Sequence, residues 1–236
     1  GKAAKWFLKF SERVSVKYSD IIIADNKVIQ DYVLSEYGKK AALIAYGADH
    51  TCKEALSMAV LNQFPFLSEK YAFKVCRIEP ENNVHLILEA FYEYPLLNIV
   101  LVGNWNNSVY GKQLKLQFDS FENIYLLEPI YNQNILNQLR SNCSLYIHGH
   151  SAGGTNPSLV EAMYLELPII AYDINYNRET TSNKALYFKD SESLQLLLKN
   201  IDTTKLNINA KAMALLALKN FTWHKISNAY KDLIIN

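Results

Sequence analysis

SLYIHGHSAGGTNPSLVEAMYLELPIIAY, residues 144–172, holds two short apolar runs around a polar loop and a helix-like stretch. The runs at 144–147 and 168–172 are short, rich in branched and aromatic residues, and predict strands. Between them the pattern predicts a helix over 157–165, with Pro157 in the first turn, where a missing N–H costs nothing. Strand, helix and strand in that order make a β-α-β unit, which belongs to a parallel sheet.

The same alternation runs outward in both directions. Further strands are predicted at 71–76, 98–102, 123–127 and 185–188, with helices at 83–93, 110–120, 132–140 and 191–200 and terminal helices at 206–218 and 223–234. Regular alternation predicts an α/β fold with a doubly wound, Rossmann-like parallel sheet covered on both faces. Ahead of it, DIIIAD (20–25) reads as a buried-type strand, 27–37 as a helix closed by Gly38, and 41–45 as a strand. Residues 3–18 carry apolar residues at helical spacing with Lys5, Lys9, Arg13 and Lys17 four apart, a basic amphipathic helix. It either packs on its own domain with a solvated basic edge or touches a membrane surface.

Composition excludes several classes. The formal charge of +1 gives no global reason to expect nucleic acid as a partner. Cys52, Cys76 and Cys143 lie far apart, without metal or disulfide spacing, which suits a reducing compartment. No apolar run reaches the roughly 18 residues of a membrane span, and the start does not look like a signal peptide. The chain starts at Gly1 rather than Met, so it is expected to be part of a longer protein.

In doubly wound sheets ligands sit at the carboxyl ends of strands. Three polar loops fall there: RIEPENN (77–83), GNWNN (103–107) and HSAGGTN (150–156). In the last, a glycine pair lets backbone approach a ligand and the amides of the following helix start form an anion site. Glu161, one turn further in, can accept from sugar hydroxyls. The plain alternative is an ordinary helix capped by Asn156 or Thr155. No GxxxxGK[ST] or GxSxG is present, and RIEPENN stands where a dinucleotide glycine fingerprint belongs, which counts against an epimerase-like enzyme. His148 and His150 invite a metal reading but are expected to point to opposite faces, and no metal is assigned.

GGTNPSLVEAM with LELPIIAYD resembles the nucleotide-sugar signature of the family-four glycosyltransferases of GT-B fold. Glu161 matches the second Glu of that signature, and Gly153 stands where its first Glu would be. VCRIEPENNVHLILEAF is similar to the family's diphosphate loop, with Arg77 matching its arginine and Asn82 replacing its lysine. IAYGADH (44–50) resembles the segment that links the two domains. Together with SDIIIADNKVIQDYV and VGNWNNSVYG, these stretches look closest to the bacterial rhamnosyltransferases that build capsule, O-antigen and related polysaccharides.

The resemblance implies a division into residues 1–50, the end of an N-terminal acceptor domain; 51–220, a donor-binding domain; and 221–236, a helix returning toward the N-terminal domain. It implies a retaining transfer of a sugar, rhamnose from dTDP-rhamnose, to a saccharide or lipid-linked saccharide acceptor, without cofactor or metal. Arg77 and Glu161 are the implied catalytic residues. Arg77, Asn82, Gly154, Thr155, Asn156, Ser158, Leu159 and Val160 would hold the diphosphate, with Lys184 or Arg178 compensating for the absent lysine. Glu161 would bind the ribose. Pro129, Ile130 and Tyr131 would bind the base, although Tyr131 reads equally as core. Gly103, Asn104, His150 and Gly153 would lie near the donor sugar. Trp105 and the NRET stretch (177–180) admit both a pocket and a packing or surface reading. The implied location is the cytoplasm, with peripheral contact at the inner membrane face. The rival to an active enzyme is a non-catalytic nucleotide-sugar-binding module, and the chain alone is expected to bind donor without efficient transfer.

Overall fold

Six parallel strands form the main sheet in a computed structural model that describes residues 1–235. The chain enters through α1 (Lys2–Tyr18), β1 (Ile23–Ala24), α2 (Lys27–Tyr37), β2 (Ala42–Leu43) and α3 (Met58–Gln63). The main alternation then runs β3 (Tyr71–Val75), α4 (Val84–Tyr92), β4 (Asn98–Val102), α5 (Val109–Phe118), β5 (Ile124–Leu127), α6 (Gln133–Ser141) and β6 (Leu145–His148). It continues through α7 (Pro157–Tyr164), β7 (Ile169–Tyr172), α8 (Asn175–Thr180), β8 (Leu186–Phe188), α9 (Ser191–Lys199), α10 (Thr203–Asn220) and α11 (Trp223–Ile235).

The strand order β5-β4-β3-β6-β7-β8 fixes where a ligand belongs. From β3 the chain winds outward through β4 to β5, then returns to place β6 on the other side of β3. The β3–β6 boundary is therefore the topological switch point, where the loops that follow diverge and leave a crevice. Each face of the sheet buries its own core. Phe73, Tyr146, Leu139, Leu159, Met163 and Met213 join α6, α7 and α10 to one side, and Ile87, Leu101, Ile147 and Leu194 join α4 and α9 to the other. Such side chains contribute roughly 1.5–3 kcal/mol each when fully buried, which holds the crevice rigid.

The entry segment differs from its expectation. β1 and β2 pair over only two residues each, and Ile21, Ile23 and Leu43 are exposed rather than buried, because a two-stranded sheet has too few neighbours to cover both faces. Its core is only Ala24, Val33 and Ala41 with a few flanking residues. α1 is likewise not packed on its own domain along its apolar side: Val16 alone is buried, and Trp6 is 68% exposed. Its Glu12 accepts from the Tyr37 hydroxyl at 2.8 Å and also meets Tyr32 on α2. α3 and α8 lie in stretches to which the sequence pattern assigns no element; both are short helices of six residues, below the length at which periodicity is visible.

Candidate functional site

The loops after β3 and β6 are laced together across the switch point. Ser151 donates through its amide and hydroxyl to the Glu81 carbonyl at 2.8 and 3.0 Å, and the Asn83 amide group donates to the Gly149 carbonyl at 2.9 Å. Asn82 is buried; its Nδ2 donates to the Arg77 carbonyl at 2.9 Å and its Oδ1 faces His150 Nδ1 at 3.0 Å. It is thus a loop brace that orients His150, not a free donor to a ligand. Burial, with the Lys74 charge nearby, lowers the pKa of His150, so the ring is neutral at pH 7. With Oδ1 as acceptor, the proton sits on Nδ1.

Two adjoining cavities of 330 Å³ each open along this seam and share Val75, Cys76 and Arg77. The first collects Arg77, Asn82, His150, Asn156, Ser158 and Glu161. The second is lined by Gly103, Asn104, Pro129, Ile130 and Tyr131. Residues from four strand ends therefore meet in one groove. Gly103 and Asn104 belong with the 129–131 loop rather than with His150, and Gly153 lines neither cavity. Tyr131 is 85% exposed, so its core reading fails, whereas Trp105 is fully buried and donates to the Leu127 carbonyl at 3.0 Å, which makes it packing. A larger hollow of 660 Å³ between α4, α5 and α9 is lined by Glu89, Glu93 and Glu192, a poor setting for an anionic ligand.

Of the amides expected to be open at 154–160, those of Ser158, Leu159 and Val160 are occupied. Asn156 caps α7 and accepts from Ser158 N at 3.1 Å, and its carbonyl accepts from Leu159 N and Val160 N at 3.1 and 3.2 Å. Of the glycine pair, Gly153 opens to solvent with φ +82° and Gly154 faces protein: a Cβ on Gly154 would lie 1.9 Å from Asp25 Oδ1, and the Thr155 hydroxyl donates to the Asp25 carbonyl at 2.6 Å. Burial raises the Asp25 pKa, partly offset by its own amide and that of Thr155. The ordinary capped helix is the reading that holds at the helix start. The pairing of residues 25 and 155 is invisible to any local pattern.

Cation supply also differs. Arg178 is tied to Asp173 at 2.5 Å and covers the Tyr187 ring, and Lys184 lines neither cavity. Asp173 and Arg178 make the NRET stretch an ion-pair cluster. Arg140 instead lines the first cavity, with its buried guanidinium Nη1 2.6 Å from Glu161 Oε2. That contact is off the hydrogen-bond direction, and Nε has no hydrogen-bond partner among the described residues. Arg77 has a 78% exposed side chain, paired with Glu81 at 3.5 Å. The signal for Arg140 was a charge at the fourth position after Leu136 on an apolar helix face.

His148 and His150 correct a geometric expectation. Residues two apart on a strand share a face, and the rings stand 6.3 Å apart. His148 is buried without a partner for either nitrogen, which drives its pKa well below the usual value. Among the described residues no group of three His, Cys, Asp or Glu side chains could hold a metal ion, and no helix is long and apolar enough to cross a membrane.

Residues 62–213, more than half of the chain and the whole span of this groove, match the family model described as Glycosyl transferases group 1. The chain belongs to the group 1 glycosyl transferases. Residues 1–49 match a second model, described as a domain of unknown function. A Xenopus tropicalis protein named Glycosyltransferase 1 domain-containing protein 1 is 22% identical over 69% of this group 1 chain and 49% of its own length. The chain thus spans about half of that curated relative. Among solved structures, Anabaena HepE, crystallised with UDP and glucose, is similar with a TM-score of 0.80 at 16% identity, over 96% of this chain and 66% of that one. Sucrose-phosphate synthase from Thermosynechococcus elongatus gives 0.77 at 15%, over 95% and 61%. These likenesses establish the α/β fold of the GT-B glycosyltransferases for this group 1 member.

Proposed function

We propose that this chain is the donor-binding part of a retaining glycosyltransferase that moves a sugar, rhamnose by our reading, from a nucleoside diphosphate to a saccharide or lipid-linked saccharide hydroxyl. The observation that carries it is the convergence of Arg77, Glu161 and the 129–131 loop on adjoining cavities at the switch point. A diphosphate fits the first cavity, where Arg77 and Arg140 supply positive charge; a base fits the second, against exposed Tyr131. Residues 51–220 form the donor domain in this reading, residues 1–50 the end of the acceptor domain and 221–236 the returning helix. The acceptor would be surface polysaccharide in the making, at the inner face of the membrane.

In the transfer, the bond from the anomeric carbon to the phosphate oxygen breaks, a bond from that carbon to the acceptor oxygen forms, and the acceptor proton passes to the departing diphosphate or to solvent. Charge builds on the departing diphosphate. Arg77 reaches it from the loop after β3, and Arg140 makes the potential in the same cavity more positive, an arrangement that acts most strongly at the transition state. Glu161 accepts from the ribose hydroxyls of a ribonucleotide donor, or from the lone 3′ hydroxyl that a dTDP-sugar offers. The Asn156 cap must yield its Ser158 amide if the phosphate is to use it.

Titration calorimetry against dTDP, UDP, GDP and their sugars tests this. Selective dTDP binding, weakened roughly ten- to a hundredfold by Arg77→Ala and by Glu161→Ala, is expected, since hydrogen bonds to charged groups contribute about 1.5–3 kcal/mol. Preference for UDP would keep the groove and change the donor, a second reading favoured by the UDP bound to Anabaena HepE. Binding that neither substitution weakens would remove the groove from the function.

A further inference from the structure

The segment joining the two sheets reaches Glu161, which lines the first cavity. His50 Nε2 lies 3.0 Å from Glu161 Oε1, and His50 Nδ1 accepts from the Trp223 indole N–H at 3.1 Å. An indole nitrogen only donates, so the imidazole nitrogen facing it carries no proton. In the neutral ring the other nitrogen then carries it, and Nε2–H donates to Glu161. Trp223 is itself fixed: its backbone amide donates to Asp49 Oδ1 at 2.7 Å, and its indole lies so close to Gly47 that a Cβ there would meet it at 2.5 Å. Arg140 closes the other side of the carboxylate at 2.6 Å. Glu161 thus faces a hydrogen-bonding imidazole at Oε1 and the Arg140 charge at Oε2, and both oxygens keep lone pairs for a ligand.

We propose that His50 and Trp223 are positioning residues of the nucleotide site, which set the Glu161 carboxylate through a single imidazole tautomer. The inference rests on the donor-binding reading above. It makes the linker and α11, which line neither cavity, part of the site's machinery. A carboxylate steered from one side only would divide its time among orientations, and ligand binding would have to order it.

Calorimetry on the 236-residue chain with dTDP and UDP, each variant first checked for a native melting transition, tests the relay. His50→Leu and Trp223→Phe are expected to weaken binding about fivefold, the worth of one net hydrogen bond. His50→Gln, whose amide can donate from the Nε2 position, is expected to recover most of it. In a Glu161→Ala background, adding His50→Leu is expected to cost nothing further, the non-additivity that marks a direct coupling. Unchanged binding in His50→Leu, or an equal further loss without Glu161, overturns the relay. Failure of the donor-binding reading looks different, since Glu161→Ala would then have no effect. Nitrogen-15 spectra of the His50 ring need no nucleotide: a protonated Nε2 with bare Nδ1 is expected, and the reverse tautomer overturns the proposal.

Discussion

His148 shows how much one buried side chain can reveal. Its ring lies against Tyr146 with both nitrogens unpartnered, and burial keeps it neutral far below the usual value of 6.5. The unfolded chain takes up a proton below that value and the native chain does not. Stability from this residue is therefore complete above pH 6.5 and falls with pH through the window down to the depressed native value, by about 1.4 kcal/mol per pH unit. His148→Phe is expected to flatten that acid limb, measured as urea stability between pH 7 and 5; an unchanged slope would mean that the ring is solvated. Arg77 and Glu161 were legible from motif resemblance, and their joint presence in the first cavity accords with it. Asn82 was legible as a departure, but its task as a brace for His150 appears only once the two loops meet.

At the level of elements, α7 decides how the glycine loop behaves. Asn156 satisfies the Ser158 amide through its side chain, and its carbonyl takes the next two. Asn156→Ala is expected to lower stability by about 1 kcal/mol, a fall of a few degrees in melting temperature for a chain of this size. A melting curve indistinguishable from the unsubstituted chain would show that water caps the helix equally well. The main strands and most helices were readable to within a few residues, because each is a periodic apolar signal within ten residues or so. The small β1–α2–β2 unit was readable as a unit but not as a half-open one, since burial depends on neighbours that no local pattern contains.

For the whole molecule, two bodies of unequal strength share a seam. Asn26 holds it, with Nδ2 within 3.3 Å of the Thr155 and Thr180 hydroxyls and Oδ1 capping α2. The main sheet rests on two large apolar layers, the small unit on little more than Ala24, Val33 and Ala41. Hydrogen exchange is expected to release the amides of α1, β1 and β2 well before those of β3, β4, β6 and β7. Simultaneous release would mean that the seam couples both bodies into one cooperative unit.

Apolar periodicity alone establishes the α/β class, the number of main strands and the three polar loops at strand ends, because each is written within a few consecutive residues. The strand order at the switch point, and with it the groove, is a property of the folded chain. So are the partners within it. Asp25 meets the loop before α7 across 130 positions, and His50 meets Glu161 across 111. Those contacts decide what the loop before α7 packs against and which group faces the Glu161 carboxylate. They arise from packing between distant segments, where the energy of a contact depends on three-dimensional neighbours and leaves no trace in the local order of residues.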